Sequence, residues 1–130
     1  MSKKPIATIM RTEFPTLTAD TPIRRAAAQL VDARAAAAPV LTEDGRLAGL
    51  ITQKDCFHSA LHASYYREWT GKVGDHMSRD VVTANAQDDL IKVAEMFLTY
   101  PHRVFPVLDG RQVVGVIHRS DILTELVRLG

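Results

Sequence analysis

The chain has one cysteine, Cys56, so no internal disulfide can form, and a reducing setting such as the cytoplasm is the simplest expectation. Long apolar runs are missing as well. None approaches the roughly 20 residues a membrane-spanning helix needs, so no membrane is expected as a partner. The N-terminus, MSKKPIATIMR, carries two lysines with no apolar stretch behind them, which does not read as a secretory signal. Charge of one sign is also lacking. Sixteen Lys and Arg face 15 Asp and Glu, and a net charge of +1 gives no support for binding nucleic acid or a membrane surface. There is no glycine-rich phosphate loop and no pair of cysteines at metal-ligand spacing.

Within 130 residues, 46% hydrophobic and 24% charged, there is room for one domain or two very small ones. Half the chain alone would struggle to bury enough surface, so two halves would share a core. Two halves are what the sequence writes. APVLTEDGRLAGLITQKDCF begins at Ala38, and FPVLDGRQVVGVIHRSDIL begins at Phe105. Pro39 matches Pro106, Gly45 matches Gly110, Gly49 matches Gly115 and Asp55 matches Asp121. Upstream, IMRTEFPTLTADTPI echoes HMSRDVVTANAQDDL, pairing Met10 with Met77 and Thr18 with Thr83. Such an ordered duplication outweighs any short motif.

Each copy predicts the order β-α-β-β-α. An extended piece (Pro15 to Thr18; Val81 to Thr83) leads into a helix. In the first copy Thr21 is expected to cap it and Pro22 to open it, with Ile23, Ala26, Ala27, Leu30 and Val31 on one stripe. In the second, Asp88 and Asp89 suit the helix start, and Leu90, Val93, Ala94, Phe97 and Leu98 form the stripe. Two short strands follow in each copy, joined by EDG or DG, where glycine takes positive φ without penalty. A closing helix runs from Lys54 to about Tyr66 and from Ser120 to Leu129. Gly71 and Gly74 interrupt the helical pattern in the stretch between the copies. The expected division is residues 1–66 as the first repeat with its N-terminal lead-in, 67–76 as connector and 77–130 as the second repeat.

These residues resemble a pair of CBS domains, the module named after cystathionine β-synthase. The PV strand, the DG turn, the glycine-apolar-apolar-Thr-x-x-Asp exit and the upstream Met and Thr occur twice, in order, over essentially the whole chain. The resemblance implies an α/β (α+β) fold in which two β-α-β-β-α repeats pack sheet to sheet with pseudo-two-fold symmetry, leaving two clefts. It implies that those clefts take adenosine-containing ligands such as AMP, ADP, ATP or S-adenosylmethionine. It further implies a homodimer, and regulation of an attached or partner protein. No cofactor is required, and an adenine nucleotide is the expected ligand.

Physical chemistry gives these residues matching work. Thr52 ends a strand and Asp55 follows at a helix start, where unpaired N–H groups and the positive dipole end converge on an anion. Asp55 has two acceptor oxygens, enough to take both hydroxyls of a ribose. The resemblance assigns phosphate to Thr52 and ribose to Asp55 and Asp121. It assigns the base to the strand starts, Ala37 and Ala38 in one copy and Val104 in the other, with Thr18 and Thr83 lining the clefts. His118 departs from the pattern, standing where the first copy has Thr52. An imidazole is larger and can change charge near neutral pH. Arg103 and Arg119 offer positive charge for a phosphate. The second site is therefore expected to be altered in preference or lost.

Plainer readings stand beside these. Thr-x-x-Asp ahead of an apolar helical run is also a capping box, and capping and phosphate binding use the same helix end. Pockets that no longer bind anything, in a purely structural or interaction module, are the alternative function. His58 and His62 are four apart, near Cys56, but no Glu follows His58 in the zinc-protease pattern, so no metal site is expected. His118, Ser120 and Asp121 sit within four residues, whereas a hydrolytic triad needs three groups converging from separate positions. No catalytic residue is expected, and the chain reads as a non-enzyme. Tyr65, Tyr66 and Trp69 suit either packing or a partner surface. Candidate dimer faces are Ile122, Leu123, Leu126, Val127 and Leu129, and Phe57, Leu61 and Tyr65.

Overall fold

The duplicated phrase folds twice into a β-hairpin followed by a helix, in a computed structural model that describes residues 4–130. After a short 3-10 turn at Ile6–Thr8, the elements run α1 (Ile23–Asp32), β1 (Ala37–Leu41), β2 (Leu47–Thr52), α2 (Gln53–Tyr66) and α3 (Val73–His76). The second copy follows with β3 (Ala84–Asn85), α4 (Leu90–Thr99), β4 (Val104–Asp109), β5 (Gln112–His118) and α5 (Arg119–Leu129). The fold class is mixed α/β with two sheets, β1-β2 and β3-β4-β5. None of the helices among the described residues is long and apolar enough to cross a membrane.

Both hairpins turn on a glycine in the left-handed region, Gly45 at φ 82° and Gly110 at φ 64°, as the EDG and DG signals require. Their registers correspond. Ala37 pairs with Thr52 at the open end of the first hairpin, and Val104 pairs with His118 at the open end of the second. Each hairpin also has a parallel neighbour. In the second copy Ala84 pairs with Val107. In the first this strand shrinks to one bridge, Leu17 to Val40. Since Val40 and Val107 hold the same place in their hairpins, Leu17 corresponds to Ala84. The counterpart of Thr18 is thus Asn85, and that of Thr83 is Thr16, which corrects the pairing of Thr18 with Thr83 by two residues.

The helices follow their stripes with two departures. Ile23, Ala26 and Leu30 are buried on α1, and Leu90, Val93 and Phe97 on α4. Val31 and Leu98, expected on those stripes, are exposed, because the buried face of each helix is narrower than the apolar run. Thr21 does not cap α1. Pro22 holds the cap position, and the Thr21 hydroxyl turns back to Thr18, 3.1 Å from its hydroxyl. Asp89 does cap α4, accepting from the Ile91 N–H at 3.3 Å.

Spatially the chain forms two units, Phe14–Val81 and Val82–Gly130 with the N-terminal residues up to Glu13. Each has its own core, where the length of the halves predicts a shared one. Leu17, Ile23, Leu30, Val40 and Ile51 centre the first, and Leu90, Val93, Phe105, Val107 and Ile117 the second. The lead-in thus leaves the repeat it precedes in sequence. Ile6, fully buried, packs in the second core, and Val73 with Met77 fills the matching place in the first. The stretch expected as a bare connector contains α3 and supplies core residues. Apolar burial drives the arrangement, since covering an Ile side chain stabilises by roughly 1.5–3 kcal/mol. Each segment then crosses the second strand of its hairpin through a two-bond bridge. Leu50 and Ser78 exchange N–H···O bonds of 2.9 Å, and Arg11 and Val116 exchange bonds of 2.9 and 3.0 Å. The second glycine of the repeated phrase makes the crossing fit. A Cβ at Gly49 would lie 2.7 Å from the Ser78 carbonyl oxygen, and one at Gly115 would lie 2.8 Å from that of Arg11.

Candidate functional site

In the first unit Ala37, Thr52 and Asp55 converge where β2 runs into α2. Thr52 Oγ1 accepts from the Asp55 N–H at 3.1 Å, and Asp55 Oδ2 accepts from the Thr52 N–H at 2.9 Å. This reciprocal box fixes the carboxylate at the positive end of a 14-residue helix. One Asp55 oxygen is engaged with the backbone, and the half-buried side chain retains acceptor capacity beyond it. Ala37, opposite Thr52 in the hairpin, offers a small side chain beside the helix start. The Gln53 N–H donates to the Ala36 carbonyl at 2.9 Å and ties the strand to the helix there.

The second unit repeats this frame with different chemistry. Val104 lies opposite His118, and the Arg119 N–H donates to the Arg103 carbonyl at 2.8 Å. Asp121 Oδ2 accepts from the His118 N–H at 3.2 Å, but an imidazole replaces the threonine hydroxyl, and half of the capping box remains. Asp121 has a further partner. Arg11 Nε donates to Oδ2 and Nη2 to Oδ1, each at 3.0 Å, a bidentate fork. His118 is half-buried beside this pair. Burial lowers its pKa below the ordinary value of 6.5, the Arg11 charge lowers it further, and Asp121 pulls the other way. The Arg103 side chain is exposed.

The remaining sequence candidates lie elsewhere or face away. The Ala38 side chain is fully buried in the first core, and Ala37 beside it is buried too, outside that cluster. Thr18 lies beyond Leu17 towards the turn of the first hairpin, where with Thr16, Thr21, Arg25 and Thr42 it lines an open pocket of about 470 Å³. It is therefore not brought to Thr52. Thr83, just ahead of β3, is half-buried. Cys56 is buried, and burial followed by the Asp55 charge raises its pKa. His58 and His62 are exposed, and the His62 ring lies 4.6 Å from that of Tyr66, tilted by 34°. Trp69 packs on the first core, whereas Tyr65 and Tyr66 are exposed. Arg11 is the residue that sequence reading missed. Pairing Met10 with Met77 places it opposite Ser78, but nothing local to Arg11 points to Asp121.

These observations define a duplicated α/β module carrying an aspartate at a helix start in each copy. Its copies are CBS domains. The CBS domain family model matches residues 6–62 and 73–128, and the chain belongs to that family. Among related structures is the CBS domain pair of protein MJ0100 in complex with 5′-methylthioadenosine and S-adenosyl-L-methionine. It has a TM-score of 0.85 at 24% identity, over 99% of this chain and 100% of that one. CBSX2 of Arabidopsis thaliana in complex with AMP has a TM-score of 0.83 at 19% identity, over 96% and 97% of the two chains. A homoserine O-acetyltransferase of Methanococcus vannielii is 28% identical over 94% of this chain and 25% of its own length. The chain spans 25 to 42% of the length of the curated relatives it matches.

Proposed function

We propose that this chain is a regulatory module that binds adenosine-containing ligands at its two helix starts and does no catalysis itself. The observation that carries this reading is the repeated frame: Ala37, Thr52 and Asp55 in one unit, Val104, His118 and Asp121 in the other. In the first site Asp55 accepts the ribose hydroxyls, Thr52 and the first N–H groups of α2 meet phosphate, and Ala37 flanks the base. In the second, Asp121 and Val104 take the equivalent roles, with His118 and Arg103 near the phosphate and Thr83 at the margin. The ligands in the MJ0100 and CBSX2 structures support this ligand class. A ligand with differential affinity for two arrangements of the protein shifts their populations, and a second copy or a partner protein reads the shift. The exposed Phe57, Leu61 and Tyr65, and Leu123, Val127 and Leu129, suit a homodimer, and the single cysteine suits the cytoplasm.

One observation favours the second reading, a structural pair with ligand-free pockets. Both aspartates already have protein partners, and Asp121 accepts three hydrogen bonds, two from Arg11 and one from the His118 N–H. Thermal melts and titration calorimetry with AMP, ADP, ATP, S-adenosylmethionine and NAD separate the two. The binding reading expects at least one compound to raise the melting temperature. It also expects Asp55→Ala and Asp121→Ala each to weaken binding at its own site about tenfold or more. Melts unmoved by all five compounds favour the structural reading.

A further inference from the structure

We propose that Arg11 makes the second-repeat site selective for phosphorylated adenosines, by exchanging the Asp121 carboxylate for the phosphate of the ligand. The inference rests on the reading of Asp121 as the ribose acceptor. Both oxygens of Asp121 are held by the Arg11 fork at 3.0 Å and one also accepts from the His118 N–H, so of about four acceptor sites one is left, and both hydroxyls of a sugar diol can bind only if an Arg11 bond gives way. The displaced group stays close. The Arg11 backbone is pinned to Val116 by bonds of 2.9 and 3.0 Å, so only the side chain swings. Its side chain is half exposed, and α5 begins beside it with an anion-favouring end. A ligand that carries phosphate gives the freed guanidinium a new anion for bidentate pairing. A neutral adenosine compound breaks the ion pair and returns nothing, and a cationic one meets the freed charge as well.

The first repeat lacks this device. Ser78 holds the place of Arg11 in the equivalent bridge, and no arginine pairs with Asp55 among the described residues. The two sites then differ in ligand class. The first accepts adenosine compounds with or without phosphate, and the second demands one with it.

Calorimetry with AMP and 5′-methylthioadenosine, in an Asp55→Ala background that isolates the second site, tests this. AMP is expected to bind about tenfold or more tightly than 5′-methylthioadenosine. Arg11→Ala is expected to bring the ratio close to one, by weakening AMP and strengthening the neutral compound. Arg11→Lys keeps the charge without the fork and should retain part of the preference. Ser78→Arg in an Asp121→Ala background repeats the test in the other unit and should create the preference there. If both compounds bind and the ratio is unchanged by Arg11→Ala and by Ser78→Arg, the exchange is overturned while adenosine binding stands. If neither compound binds the unaltered protein or any variant, the exchange and the nucleotide reading fall together.

Discussion

At the scale of single residues the two copies differ most at Thr52 and His118. The hydroxyl of Thr52 completes a capping box around Asp55, whereas Asp121 keeps only the bond from the His118 N–H and takes Arg11 as a further partner. His118 also carries a pH dependence. Its folded-state pKa lies below 6.5, first from burial and then from Arg11. Well above that pH neither the folded nor the unfolded chain is protonated there, and the residue contributes nothing. As pH falls through about 6.5 the unfolded chain takes up the proton first, so stability drops. The melting temperature is expected to fall further between about pH 7.5 and 5.5 in the unaltered protein than in His118→Thr, and superimposable profiles would refute this. Glu125 does not blur the measurement. Hydrogen bonds from Arg128 and Lys4 hold its pKa near 2, so its contribution is present above its ordinary 4.5 and is lost only as pH falls towards 2. The departure at His118 was legible in the sequence because the duplication supplies its own reference. The partner of Asp121 was not, since Arg11 lies 110 residues away.

At the scale of elements the repeated glycine explains why each hairpin accepts a crossing segment. Alanine at Gly49 or Gly115 would press its Cβ against a backbone oxygen, which cannot rotate away as a side chain can. Gly49→Ala and Gly115→Ala are each expected to cost about 1–3 kcal/mol, read as a lower urea midpoint at unchanged slope. A midpoint within error of the unaltered protein would show that the crossing segment moves aside freely. Hairpins and closing helices were legible because their signals are local: a glycine with positive φ, a threonine three residues before an aspartate. Registers of the short first strands were not. A segment that pairs through a single bridge at Leu17, or through Ala84–Asn85, has too little alternation to fix its alignment, and so the sequence pairs Thr18 with Thr83 where the strands match it to Asn85.

At the scale of the whole molecule the cores decide which ends of the chain belong together. Family matching counts residues 6–62 as one repeat, yet Ile6 is buried in the core of the other. Ile6→Ala is expected to cost about 2–5 kcal/mol and to reduce amide exchange protection first within Val82–Gly130. Val73→Ala should reverse the pattern and affect Phe14–Val81 first. Equal losses in both units from either variant would show that the lead-in and α3 are not committed to separate cores.

The sequence by itself determined the duplication, because the same ordered phrase recurs, and the hairpins, the helix starts and the aspartate at each, because those are written in turns and caps that span no more than a few residues. Only the tertiary structure decided that the N-terminal segment joins the second core and that Arg11 grips Asp121. Both depend on burial and ion pairing between residues far apart in the chain, and such contacts leave no spacing to read.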